Sequence, residues 1–74
     1  MPHVEISCFP GRTEEVKQEC ADKVAQVVSG TLGCKITSVS VAIKEVHPDD
    51  WKKLYNEKIM ADQEVLYIKP GYEA

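Results

Sequence analysis

The chemistry in this sequence begins at its second residue. In MPHVEISCFPG a proline follows the initiator methionine and leads straight into an alternating apolar and polar run. Proline has no N–H to give to a ladder and is tolerated as the first residue of a strand, which is a sufficient structural reason for Pro2. Its nitrogen offers a second reason. While Met1 is attached, that nitrogen is an inert tertiary amide. Methionine is removed in front of small second residues, and proline qualifies, so processing would expose a secondary amine able to take up a proton. An α-amino group titrates near pH ~8 in peptides, and burial beside apolar or cationic groups draws it toward neutrality, where a general base is effective.

Two other residues have the chemistry to share a site with that amine. Arg12 is the only arginine beside eight lysines. It stands after Pro10-Gly11 and before a helix start, where a cation opposes the helix dipole. A guanidinium on that loop can make two parallel hydrogen bonds to a carboxylate; the plainer reading is a solvated side chain. Trp51 is the only tryptophan and shares a helical register with Leu54 and Tyr55. It reads as a core or interface anchor, a position from which an indole can also wall a pocket, exclude water from an amine and stack on an unsaturated substrate. His3 and His47 do not resemble a metal pair: His47 reads as a helix cap, and His3 has no assignment. Cys8, Cys20 and Cys34 are odd in number, match no zinc spacing and are expected as small buried or half-buried hydrophobes.

These residues need elements to hold them. Residues 2 to 8 alternate, with Pro2, Val4, Ile6 and Cys8 on one face, and predict a half-buried strand that ends at Phe9-Pro10-Gly11. Thr13 is a candidate N-cap with Glu14 and Glu15 in the first helical turn. Val16, Cys20, Val24, Val27 and Val28 then recur at spacings of three and four, one apolar stripe of a long helix, and Gly30 and Gly33 supply left-handed residues for its end. Residues 38 to 44, SVSVAIK, alternate again with Val39, Val41 and Ile43 on one face. Strand, long helix and strand make a βαβ unit with two parallel strands, the helix on one face and the other face in need of a second subunit. His47-Pro48-Asp49-Asp50 predicts a second, short helix with Pro48 at its first position. After a polar stretch from Asn56 to Glu64, residues 65 to 68 could form a short strand, and Lys69-Pro70-Gly71-Tyr72 suits a type II turn.

Composition narrows the classes of function. Seventy-four residues make one domain, expected over 1–74, and so short a chain buries too little surface to be comfortable alone, which predicts oligomerisation. A net charge of −3 with scattered lysines gives no footprint for nucleic acid. No apolar run approaches the roughly 20 residues that span a bilayer, and no basic stretch precedes an apolar one at the start, so no membrane role and a cytoplasmic location are expected.

Met-Pro at a strand start, Gly11-Arg12 before a long helix, and TSVSVAI followed by a helix bearing Trp51 together resemble the tautomerase superfamily, in the 4-oxalocrotonate tautomerase group. MPHVEISCFP, HPDDW and the closing KPGY are most similar to its bacterial phenylenolpyruvate tautomerase branch, whose members are dimers rather than hexamers. The resemblance spans essentially the whole chain. It implies an α+β tautomerase-like fold completed by oligomerisation, and a catalytic amino-terminal proline, here Pro2, that moves a proton between an enol oxygen and a carbon of the conjugated system. It also implies that Arg12, Ser40 and Trp51 bind substrate, and that no metal or organic cofactor is used. Ser40 stands where the 4-oxalocrotonate enzymes carry a second arginine. A hydroxyl cannot replace a guanidinium, so a small enol or keto acid with one carboxylate, a 2-hydroxydienoate or an aryl enolpyruvate, fits better than a diacid. Two other readings are a non-catalytic oligomeric binding module that keeps the fold and a carboxylate site at Arg12, and a purely structural dimer.

Overall fold

The structure is a computed structural model and describes residues 1–73. Four elements follow one another: β1 (His3–Cys8), α1 (Glu14–Leu32), β2 (Ser40–Glu45) and α2 (Pro48–Leu54). The two strands pair in parallel, from His3 opposite Ser40 to Cys8 opposite Glu45. The expected βαβ unit is therefore present, although β2 starts two residues late because residues 36 to 38 coil into a short 3₁₀ turn. Alternation sends Val4 and Ile6 with Val41 and Ile43 to one face, and His3, Glu5 and Ser7 with Ser40, Ala42 and Lys44 to the other. The first face lies beneath α1, whose Lys17 Nζ reaches Glu45 at 3.6 Å and whose Ala21 borders Val41 and Ile43.

Local chemistry fixes both ends of α1. Thr13 is extended, and its Oγ1 accepts from the Val16 amide at 3.2 Å. Gly33 ends the helix in the left-handed region, at φ 74° and ψ 45°. The amides of Gly33 and Cys34 both donate to the Ser29 carbonyl, at 3.0 and 3.2 Å, and the Ser29 hydroxyl donates to the Cys34 carbonyl at 2.6 Å. Gly30, expected at the terminus as well, is an ordinary helical residue. A Cβ on Gly33 would meet nothing within 4 Å, so conformation alone demands glycine there. Gly33→Ala is expected to destabilise the fold by about 1 kcal/mol, read as a lower denaturation midpoint at fixed protein concentration.

The apolar stripe of α1 is wider than the sheet beneath it. Lys17, Ala21, Val24, Ala25 and Val28 are half-buried, whereas Val16, Cys20 and Val27 of the expected stripe are exposed. Two strands about 4.8 Å apart cannot cover a full helical face. Val16 and Cys20 instead overhang β1, forming with Ile6, Cys8, Arg12, Lys17 and Ile43 a groove of about 300 Å³. Cys8 and Cys34 are half-buried as expected; Cys20 is not.

His47 caps α2 through its Nδ1, which accepts from the Asp49 amide at 3.1 Å, and Pro48 takes the first helical position. The helix does not stop at Leu54. It widens into a π-helical turn over Tyr55–Ile59 and tightens into a 3₁₀ segment over Met60–Val65. The polar stretch from Asn56 to Glu64, which the sequence assigned to no element, is thus helical, in keeping with Glu57, Lys58, Met60, Ala61, Gln63 and Glu64 being good helix formers. The strand expected at residues 65 to 68 does not form: among the described residues the sheet has two strands only, and Tyr67 is fully exposed. Nor does the type II turn form, since Gly71 lacks the positive φ it requires.

On the outer face of the sheet Lys44 bonds Glu5 at 2.7 Å. That hydrogen bond holds the Glu5 carboxyl below its ordinary pKa. A depressed carboxyl contributes stability above its unfolded value, about 4.5, and loses it as pH falls through the folded value. Lys44→Met is therefore expected to flatten the acid limb of a urea-midpoint profile below about pH 4.5, converging with the wild type at the acid end.

No described residue is fully buried, and the surface is 5933 Å². A folded monomer of 8.3 kDa exposes about 4,600 Å². The radius of gyration is 13.7 Å, against about 11.3 Å for a compact chain of this length. No described helix is long and apolar enough to cross a membrane.

Candidate active site

Arg12 and Trp51 meet at the carboxyl end of the strands. Gly11 turns the chain there with φ 127°, a conformation that L side chains rarely adopt, and so aims the next residue. Arg12 Nη1 donates to the Phe9 carbonyl at 3.1 Å, which pins the guanidinium while leaving its other donors free. Among the described residues no carboxylate pairs with it. Phe9 and Trp51 meet in a T-shaped contact, centroids 5.2 Å apart and planes at 87°. Tyr72 completes the wall, held by its ring 5.6 Å from Tyr55 and by the Tyr55 hydroxyl donating to its carbonyl at 3.3 Å.

These side chains, with Pro48, Lys52 and Glu73, line an open cavity of about 570 Å³. Trp51 is a partition. Its other side faces a second cavity of about 380 Å³, bounded by Glu5 and Ser7 of the sheet and by Leu54, Ile59 and Leu66. Phe9 and Tyr72 were legible in the sequence only as a strand breaker and a turn residue, and Lys52 carried no signal beyond charge. Nearby, a hydrogen bond to Glu14 at 2.7 Å, with a second carboxylate at Glu45 of β2, raises the pKa of Lys17, so this lysine is taken by two carboxylates.

Pro2 and Ser40 lie at the opposite end of the ladder. The Ser40 amide donates to the Pro2 carbonyl at 3.1 Å, and the Ser40 hydroxyl lies 2.6 Å from His3 Nδ1. The six residue steps from Pro2 to Cys8 span roughly 20 Å of extended strand, beyond the reach of any side chain. Within one chain the four candidate residues therefore fall into two separate pairs. An amine precursor sits beside Ser40 at one end, and a cation in an aromatic cavity sits at the other. The described residues contain no cluster of histidine, cysteine and carboxylate groups able to hold a metal.

A βαβ frame that follows directly on a proline and carries, before its long helix, an arginine with no carboxylate partner among the described residues fits a class of proteins. The family model described as tautomerase enzyme matches residues 2–52, and the chain belongs to the tautomerase family. Relatives named Tautomerase PptA match it over almost their full length. That of Cronobacter sakazakii is 40% identical over 75 residues, covering 99% of each chain, and that of Escherichia coli O157:H7 is 34% identical over 73 residues, covering 97% of each. A crystal structure of a 4-oxalocrotonate tautomerase homologue superposes with a TM-score of 0.64 at 29% identity, over 69% of this chain and 81% of the other. TomN, a 4-oxalocrotonate tautomerase homologue of the tomaymycin biosynthetic pathway, shares the fold with a TM-score of 0.65 at 22% identity, over 68% and 77%. Family and relatives together support a tautomerase, an enzyme of the isomerase class.

Proposed function

We propose that the protein is a cofactor-independent keto–enol tautomerase of the cytoplasm, acting on small 2-hydroxy-unsaturated acids such as phenylenolpyruvate or 2-hydroxydienoates. The observation that carries the proposal is the Arg12 guanidinium, free of any described carboxylate, at the rim of a cavity walled by Phe9, Trp51 and Tyr72. A planar acid with one carboxylate and an unsaturated or aryl tail matches that lining. Its carboxylate takes two hydrogen bonds from the guanidinium, and its flat body stacks on the rings. Deprotonated Pro2, freed of Met1, takes the enol proton and returns it to carbon, giving the keto acid. The aromatic wall keeps the amine poorly solvated and so keeps its pKa down. Ser40 adds a neutral polar group beside the base.

The separation of Pro2 from Arg12 and Trp51 within one chain supports an active site shared between the two chains of a homodimer. A second copy related by a two-fold axis normal to the strands runs antiparallel to the first, which carries the Pro2 end of one chain to the Arg12 and Trp51 end of the other. The excess surface of about 1,300 Å² per chain exceeds the roughly 800 Å² each partner buries in a standard interface. The test combines mass analysis of the natural amino terminus with the pH dependence of phenylenolpyruvate ketonisation. A terminus at Pro2 and a single basic limb near neutrality support the mechanism; a retained Met1 with undiminished turnover overturns it. A processed, assembled chain that binds aryl carboxylates without turning over enols would instead be a binding module.

A further inference from the structure

We propose that His3 and Ser40 form a clasp that holds the amino-terminal proline in place, making both of them positioning residues for the base. The inference rests on the reading of Pro2 as that base. Once Met1 is gone, Pro2 is a chain terminus, and termini fray unless something ties them down. Its one ladder bond is the Ser40 amide donating to the Pro2 carbonyl at 3.1 Å. His3, the next residue, is the register partner of Ser40, and its Nδ1 lies 2.6 Å from the Ser40 Oγ. Ser40 thus grips residue 2 through its amide and residue 3 through its hydroxyl.

The residue types suit that task. Serine has no strand preference to explain its place at the head of β2, where valine, isoleucine or threonine would serve a ladder better. A hydroxyl both donates and accepts, so it complements either tautomer of the imidazole. Glu5, two residues on along the same face, has Lys44, Lys58 and His3 as its charged or ionisable neighbours. Glu5 is taken by Lys44 at 2.7 Å, which leaves His3 to Ser40. Catalysis gains because a base must keep its lone pair aimed at the reacting atom, and a small misplacement is costly in rate. In this assignment Ser40 frames the site and is not itself a substrate contact.

The experiment uses the processed protein, its terminus verified by mass, and reads both amide hydrogen exchange and steady-state ketonisation of phenylenolpyruvate. In His3→Ala the amide of residue 40 should exchange about three- to tenfold faster, the change that one hydrogen bond of ordinary strength supports. The Val46 amide, which donates to the Cys8 carbonyl at 2.8 Å at the far end of the ladder, should keep its rate. His3→Ala and Ser40→Ala should each lower kcat with KM little changed, the double variant should lose no more than either alone, and Ser40→Thr should recover most of the rate. Unchanged exchange at residue 40 in His3→Ala overturns the clasp. So does a Ser40→Ala variant that raises KM alone while His3→Ala is silent, since Ser40 then touches substrate directly. If the unmodified protein turns over no enol, the functional reading fails, and the exchange comparison still decides the clasp.

Discussion

Keeping any residue in front of Pro2 is expected to cut phenylenolpyruvate ketonisation at least about a hundredfold, the lower range of what a positioned general base contributes. The reason is electronic. An acylated prolyl nitrogen has its lone pair delocalised into the carbonyl and takes up no proton at any pH of interest. The change alters neither Arg12 nor the rings of the aromatic cavity. The loss should therefore fall on kcat, and an unreactive aryl carboxylate should still bind. The comparison needs two preparations of one sequence, processed and unprocessed, each confirmed by mass. Pro2→Ala is a weaker test, because processing of that variant leaves a primary amine that is itself a base. Equal rates for the two preparations would remove Pro2 from the mechanism.

Arg12→Ala should lower kcat/KM about ten- to 150-fold, corresponding to the roughly 1.5–3 kcal/mol of a hydrogen bond to a charged group. Arg12→Lys should recover only part of this, since an ammonium cannot offer the parallel pair of donors. The two-fold arrangement adds a sharper expectation. Arg12→Ala chains and chains with a blocked Pro2 are each expected to be strongly impaired alone, yet in the proposed homodimer a mixed pair contains one intact site, built from the free proline of the first and the arginine of the second. Random reassociation of equal amounts makes about half of the dimers mixed, each with one of its two sites intact, so about a quarter of the wild-type activity should return. Mixtures that stay inactive after verified subunit exchange would place both groups on one chain.

Most of the frame could be read from residue types alone. Thr13 and Gly33 announced the ends of α1, alternation announced both strands, and Pro48 announced the start of α2, because each of these signals is local. The signals that misled concern partners outside the local window. Val65 to Ile68 have strand composition, but a strand exists only where an edge receives it, and the two-stranded sheet offers this tail none. Val16, Cys20 and Val27 keep helical spacing with their neighbours, and only the width of the sheet decides which of them are covered. The helical continuation through Met60–Val65 was legible in propensity but masked by its polarity. Of the candidate residues, Arg12 and Trp51 come together in one cavity as their chemistry demanded. Pro2 and Ser40 do not join them within one chain, and the arithmetic was already in the sequence: a strand of six residues lies between residue 2 and the turn before residue 12.

The absence of any fully buried side chain among the described residues has a consequence for how the proposed homodimer would be governed in the cell. If a chain completes both its core and its active site by meeting a copy of itself, it has no separate stability and activity to regulate. Mass action then sets the two together. On the proposed reading, dilution or slow synthesis would withdraw the fold and the catalyst at the same threshold, and small enol acids binding the joint site would pull the threshold down by linkage.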